Sequence, residues 1–321
     1  MRGLTVVVAD PHLRRLREEF EAAMPPGTTV RWPEPEETAD ALTDADVLVS
    51  GTCPAALARA GSKLRLVHAA GAGTDGIDVT ALPPGTLVAN TFHHEDAIAE
   101  YVVAATILLR RGLIRQDAAL RRGEWEAPSY PGLLGEATVG FVGFGHIGAR
   151  TWQLLRPFGT RGVAVTRRGQ ADAVTEHLDR SGGMADLDAL LDTSDVVVVS
   201  VPLTPGTTSL IAAKELARMK DTAILVNVGR GRVVDEDALY DALRDGAIGG
   251  AALDVWYDYP DPGGHGRPSR HPFHELPNTL MTPHSSGLAR QTFTRRTQDI
   301  AVNVRRLAAG QDLSDVVAVA R

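Results

Sequence analysis

The 321-residue chain has a single cysteine, Cys53, so no internal disulfide can close it, and a reducing compartment fits its composition. Cys53 itself reads as a small buried hydrophobe. Long hydrophobic runs are missing too: the most apolar helical stretch, AIAEYVVAATILLRR (97–111), is too short for a bilayer and carries Glu100, so it is expected to be buried in protein, with no membrane association. Basic charge is in deficit. Lys and Arg number 33 against 40 Asp and Glu, a formal net charge of −7 with the arginines scattered, which argues against a nucleic-acid surface. No basic n-region leads an apolar h-region at the start, because LTVVVADP reads as a strand entering a turn; a cytoplasmic protein is expected. With 44% hydrophobic and 23% charged residues the chain is neither collagenous, coiled-coil nor disordered, and a packed core is expected.

What is present is an alternation. Apolar runs at 4–9, 46–50, 64–68 and 86–90 are separated by helical patterns at 11–23, 36–43 and 54–61, which predicts a parallel sheet covered on both faces. After the helix at 97–111 the strand-like runs resume at 137–142, 162–166, 195–200, 223–228, 249–255 and 279–282, enough for a second, complete nucleotide-binding unit of six strands. A helix over roughly 288–309 and an apolar tail, DVVAVA, would return to pack on the first domain. The length alone exceeds what one core usually supports. The loop DYPDPGGHGRPSRHP (258–272) is dense in Gly and Pro and reads as a surface excursion.

Gly143-Phe144-Gly145-His146-Ile147-Gly148 follows a strand directly and opens a helical pattern. In that setting Gly143 permits a tight turn, Gly145 lets a pyrophosphate approach, and Gly148 lets helix and strand pack closely. The phosphates of a dinucleotide would lie on the helix N-terminus, at His146 and Ile147, where backbone N–H groups lack helical partners. An acid about 20 residues beyond the glycines would hold the ribose of NAD. The strand ends instead in Thr166-Arg167-Arg168. A hydroxyl followed by two guanidinium groups accepts a 2′-phosphate that a carboxylate would repel, so NADP(H) is the expected cofactor, with NAD(H) possible. The alternative is that both arginines are solvated turn residues.

Four ordered stretches, GAGTDGID (71–78), the glycine turn, VNVGRGRVVDEDAL (226–239), and GAALDVW (250–256) with the later LPNTLMTPHSSG (276–287), resemble the D-2-hydroxyacid dehydrogenases over nearly the whole chain. The resemblance implies an α/β protein of two doubly wound parallel-sheet domains, a Rossmann cofactor domain (97–286) inserted into a flavodoxin-like substrate domain (1–96 and 287–321). It implies an active cleft between them and a homodimer formed through the cofactor domains. Arg230 then matches the arginine that holds the substrate carboxylate and carbonyl oxygen. His284 matches the general acid/base, since imidazolium can protonate an alkoxide and imidazole can take the proton back. Asp254 matches an aspartate near the nicotinamide and the catalytic histidine, Pro202 falls in the cofactor set, and the backbone at Ala72 and Gly73 would donate to the substrate carboxylate. The reaction implied is hydride transfer between NADP(H) and a small 2-oxo acid or D-2-hydroxy acid.

The pattern also breaks. Most of the family has DVxExEP after the strand, its second Glu pairing with the histidine; here DVWYDYP puts Tyr259 in that place. A tyrosine orients an imidazole without charging it, so a lower catalytic pKa is expected than in Glu-bearing relatives. Asp258 would substitute if the loop were shifted. Formate dehydrogenases of the superfamily carry an uncharged residue there, and their PHxSG is matched by Pro283 to Gly287; His94, with His93 beside it, is similar in position to a pocket residue of theirs. The loop 260–272, with His265, Arg267, Arg270 and His271, would either read a second acidic group on the substrate or be a solvated insertion. Trp125 is expected in the core or at a dimer interface. A formate- or phosphite-type oxidation, and a dinucleotide-sensing corepressor-like binding protein, remain the competing functions.

Overall fold

A computed structural model describes residues 3–125, 127, 130–169, 176–261 and 264–321. In chain order it contains β1 (Thr5–Val8), α1 (Pro11–Arg14), α2 (Arg17–Ala23), β2 (Thr29–Arg31), α3 (Thr38–Ala41), β3 (Val47–Val49), α4 (Ala55–Ala60), β4 (Leu66–His68) and β5 (Leu87–Ala89). There follow α5 (Glu95–Arg110), α6 (Leu113–Arg121), β6 (Thr138–Val142), α7 (His146–Leu155), β7 (Arg161–Val165), β8 (Arg180–Gly182), α8 (Leu187–Thr193) and β9 (Val196–Val199). The chain ends with α9 (Ala213–Leu216), β10 (Ile224–Asn227), α10 (Glu236–Arg244), β11 (Gly250–Leu253), β12 (Thr279–Met281), α11 (Arg290–Ala309) and β13 (Val316–Val319). It divides into two compact units, residues 1–94 with 288–321, and residues 95–287.

In the first unit the strand order is β13-β5-β4-β3-β1-β2, parallel except for β13, which runs antiparallel on β5. Strands β1, β3 and β4 are short and mostly valine and leucine because helices cover both faces of a parallel sheet; the polar exception, His68 of β4, is buried with both ring nitrogens hydrogen-bonded. One face is closed by α11, whose buried Phe293, Ile300, Val304 and Leu307 recur at helical spacing and meet Val6, Val8, Val47 and Leu66. Cys53 lies in the core on the other face, and burial pushes its thiol up to about 11, so it packs as a hydrophobe and offers no thiolate. The tail returns as β13. The helical pattern at 11–23 splits into α1 and α2, and that at 36–43 keeps a single turn of α-helix, α3.

The second unit holds seven strands, one more than the alternation predicts, in the order β12-β11-β10-β9-β6-β7-β8, all parallel. The extra strand, β8, reads RSG and is too short and polar to show a period; β2 escaped for the same reason. Every residue of β6, β9, β10 and β11 is buried. On one face α5 contributes Ile98, Val102 and Ala105, and α7 contributes Trp152 and Leu155, around Phe141 and Val198. Each such large side chain stabilises the unit by roughly 1.5–3 kcal/mol on burial. In this all-parallel sheet the strand order proceeds outward in opposite directions from β6 and β9, so the connections leaving their carboxyl ends part to opposite faces and leave a crevice there. Trp125 is 90% exposed and belongs to no core.

Candidate active site

The carboxyl ends of the second sheet carry the expected motifs. Gly143 adopts φ +90°, which a side chain would oppose, and a Cβ on it would lie 2.6 Å from Val201 Cγ1. Gly148 packs its Cα face on the turn, since a Cβ would sit 2.9 Å from Gly143 O. Gly145 is different: it caps α7 with no side-chain hydrogen bond, and a Cβ there would meet nothing within 4 Å. The helix start at His146 and Ile147 therefore faces open space, the condition a phosphate requires. At the end of β7 the Thr166 hydroxyl oxygen is buried without a hydrogen-bond partner. Arg167 and Arg168 beside it are exposed, and among the described residues neither has an ion-pair partner. Pro202 follows β9 on the same edge, its carbonyl accepting from Thr207 Oγ1 at 2.6 Å.

Arg230 leaves the carboxyl end of β10 between two glycines that the fold requires. A Cβ on Gly229 would lie 2.7 Å from Val201 O, and one on Gly231 would collide with the Trp256 carbonyl. Asn227 fixes the turn between, its amide donating to Arg230 O at 3.1 Å while its Oδ1 accepts from Gly229 N at 3.1 Å. The guanidinium is half-buried and donates to Gly229 O at 2.9 Å.

His284 stands on the turn after β12 in the left-handed region, φ +56°. For a non-glycine residue this costs on the order of 1–3 kcal/mol and persists only where neighbours enforce it. Asp254 enforces it. Its Oδ1 accepts from Thr282 Oγ1 at 2.7 Å and Ser285 N at 2.8 Å, and its Oδ2 accepts from Ser286 N at 3.0 Å and from the Ser286 hydroxyl. Those four donors fill a carboxylate's lone-pair sites, and the residue is 1% exposed. Expected near both the nicotinamide and the histidine, Asp254 has both oxygens turned to the histidine turn. Tyr259 Oη lies 3.0 Å from His284 Nδ1, and the Trp256 N–H points at the same oxygen at 3.5 Å. Asp258 takes no part: its described hydrogen bond is from its own N–H to Pro268 O at 3.2 Å.

The loop that follows is tied to α10. Arg270 pairs with Asp237 and lies 3.3 Å from Glu236 Oε2; His271 Nε2 is 2.5 Å from Asp237 and its ring stacks on Tyr240 at 4.6 Å. Ser269 Oγ donates to Glu236 at 2.7 Å. The His271 and Arg270 bonds hold the Asp237 carboxyl below its usual range. Arg270, in a loop expected either to read substrate or to be a solvated insertion, is ion-paired to its own unit's α10, and the sequence showed no sign of these pairs because the acids lie 33 and 34 positions away. Arg267 is exposed with no described ion pair; His265 sits 3.7 Å from Asp261; Pro262 and Gly263 of this loop lie outside the described residues. Among the described residues no cluster of His, Cys, Asp or Glu is arranged to hold a metal.

In the first unit the loop Gly71 to Gly73 is held by Asn90, whose amide donates to Ala72 O at 2.9 Å. Among the described hydrogen bonds none is donated by the Ala72 or Gly73 N–H. Arg296 of α11 adds a charge that sequence reading missed: held by Phe92 O at 2.9 Å, its Nη1 lies 3.5 Å from where a Cβ of Gly71 would stand. His94 is the last residue of the unit's N-terminal segment, and the adjoining His93, at φ +68°, pairs with Asp299 at 2.8 Å.

Residues 103–286 match the family model described as D-isomer specific 2-hydroxyacid dehydrogenase, NAD binding domain. The chain belongs to the D-isomer specific 2-hydroxyacid dehydrogenase family. This dehydrogenase-family chain is 31% identical to the glyoxylate reductase of Thermofilum pendens over 322 aligned positions, 96% of this chain and 91% of that protein. It is 33% identical over 328 positions to the D-3-phosphoglycerate dehydrogenase of Mycobacterium tuberculosis, where the match takes in 98% of this chain but 58% of the relative. The chain therefore spans less than two thirds of the length of the phosphoglycerate dehydrogenases it resembles. Among solved structures, a D-isomer specific 2-hydroxyacid dehydrogenase family protein from Aeromonas salmonicida superposes with a TM-score of 0.83 at 26% identity, covering 98% of this chain and 99% of that one. Among the described residues no helix is long and apolar enough to cross a membrane.

Proposed function

We propose that this protein interconverts a small 2-oxo acid and its D-2-hydroxy acid with NADP(H) as the preferred cofactor and NAD(H) as the lesser one. The observation that carries the reading is His284, held in a strained left-handed conformation by Asp254 and oriented by Tyr259 on the same sheet edge as Arg230. Strain of this kind collects where chemistry needs a fixed side chain. Residues fit a dinucleotide: the open space above Gly145 and the α7 N-terminus suits a pyrophosphate, and the Thr166 hydroxyl with Arg167 and Arg168 suits a 2′-phosphate. The nicotinamide, when bound, supplies or receives the hydride. Arg230 binds the substrate carboxylate and polarises its carbonyl, as a planar cation does best. Tyr259 accepts the Nδ1 proton of His284, which fixes the tautomer and leaves Nε2 to give a proton to the product oxygen in reduction or take it in oxidation.

We also propose a second copy of the chain as partner. Leu120, Trp125, Tyr130 and Leu133, on or just after α6, are all exposed, an apolar run that a monomer has no reason to keep.

NADPH oxidation, assayed across glyoxylate, hydroxypyruvate and pyruvate with formate and phosphite in the reverse direction, tests the activity. Saturable turnover is expected, falling by about 10²–10⁴-fold in His284→Gln. Absence of turnover with every acid would leave a dinucleotide-binding protein. Cofactor choice is read from Arg167→Asp, which should lower kcat/KM for NADPH and spare NADH; equal effects on both would remove the arginine argument.

A further inference from the structure

The motif reading assigns no role to Thr282, inside the stretch 276–287, or to Tyr101, yet Thr282 touches the carboxylate that shapes the histidine turn and Tyr101 touches Thr282. Thr282 Oγ1 lies 2.7 Å from Asp254 Oδ1 and 3.0 Å from Tyr101 Oη. A hydroxyl has one proton, and an ionised acceptor holds it more strongly than a phenol, so Thr282 donates to Asp254 and receives from Tyr101. The main chain of Thr282 is engaged as well: its carbonyl accepts from Trp256 Nε1 at 2.8 Å and from His284 N at 3.0 Å, and its N–H donates to Leu253 O at 3.0 Å. Tyr101 comes from α5, one helical turn from buried Ile98 and beside buried Val102, so its ring is anchored in the core of the second unit. Burial, with the Asp254 charge adding to it, pushes its phenol up to about 12, and it remains a proton donor at any working pH.

We infer that Tyr101 is a positioning residue for His284, acting through the hydroxyl of Thr282 on the Asp254 carboxylate that clamps Ser285 and Ser286. The inference rests on the acid/base role proposed for His284. Hydrogen bonds in such a chain polarise one another, so the phenol strengthens the Thr282 to Asp254 bond as well as fixing the Thr282 rotamer. Without it the threonine can turn, the clamp loses one of its four donors, and the strained turn at His284 gains a route to relax. His284 would then move away from its one fully buried anionic neighbour, and its imidazolium would be less favoured.

Two measurements read this out. In steady-state kinetics Tyr101→Phe should lower kcat by about 3–10-fold with KM for acid and cofactor little changed, Thr282→Val should lower it further, and Thr282→Ser, which keeps the hydroxyl, should restore most of it. In NMR titrations of the chain without cofactor, the His284 ring, assigned by its disappearance in His284→Gln, should titrate at a lower pH in Tyr101→Phe than in wild type, by about half a unit. A purely structural tyrosine would lower the melting temperature and leave the titration in place. If His284→Gln abolishes turnover while Tyr101→Phe keeps the wild-type kcat and titration, the positioning role is wrong and the acid/base assignment stands. If His284→Gln turns over normally, both are wrong.

Discussion

Asp254→Asn is the sharpest probe of the site. The carboxylate accepts from four donors, Thr282 Oγ1, Ser285 N, Ser286 N and Ser286 Oγ. An amide keeps one oxygen and puts an NH2 where the other was. The Thr282 and Ser285 bonds survive as neutral ones, each weaker by about 1 kcal/mol, because bonds to charged groups contribute about 1.5–3 and neutral ones about 0.5–1.5. The Ser286 hydroxyl can rotate and accept, but its N–H then faces another donor, a loss of about 1–2 kcal/mol. The sum, about 3–4 kcal/mol, equals or exceeds the roughly 1–3 kcal/mol stored in the left-handed His284, so the turn is expected to relax. For a unit of this size the melting temperature should fall by roughly 6–16 °C. Turnover should fall by at least about 100-fold, since a proton donor displaced from its substrate loses most of its contribution. Thermal melts and NADPH oxidation measure the two. An Asp254→Asn protein with the wild-type melting temperature and kcat would refute the claim that this carboxylate holds the turn.

Gly145→Ala should fold with the stability of the wild type, because its Cβ meets nothing within 4 Å, yet raise the Kd for a dinucleotide by at least about 10-fold, as measured by fluorescence titration. Tyr259→Glu would place an anion 3.0 Å or so from His284 Nδ1, favouring imidazolium; the pH–rate profile for reduction should keep its activity to higher pH, and an unmoved profile would show that Tyr259 is not the histidine's partner. His68 is buried neutral, accepting from Asn303 Nδ2 at 3.0 Å with its Nδ1 2.9 Å from Ala69 O, and burial lowers its pKa from 6.5 against the opposing pull of Asp299 and Asp315. The unfolded chain therefore binds the proton first. Stability contributed by this group is complete above about pH 6.5 and is lost as the pH falls toward the lower folded value, so urea midpoints should drop between pH 7.5 and 5.5, and drop less in His68→Gln.

Much of the site was readable one motif at a time, and the failures share a cause. The glycine turn shows in the sequence because each glycine answers a contact within a few residues: Gly148 meets Gly143 O, and Gly145 must leave the helix start bare. The substitution of Tyr259 for an acid was equally visible, being an identity at a fixed offset. That Asp254 clamps the histidine turn was not readable, because its donors lie 28 to 32 residues downstream and reach it only when β12 pairs beside β11. The pairing of Arg270 was not readable either, its acids being on α10, and Arg296 could not be associated with Gly71 before α11 packed against the first sheet.

By itself, then, the sequence determined the alternation of buried strands and helices, the family, and the chemical types at the reacting edge, because hydrophobic period and turn chemistry act over a handful of neighbours. Which carboxylate clamps, which arginine is spent on its own loop, and which tyrosine reaches the histidine turn were decided only when parallel strands distant in the chain came side by side. Pairing of that kind is set by the packing of the whole sheet, and no local stretch encodes it.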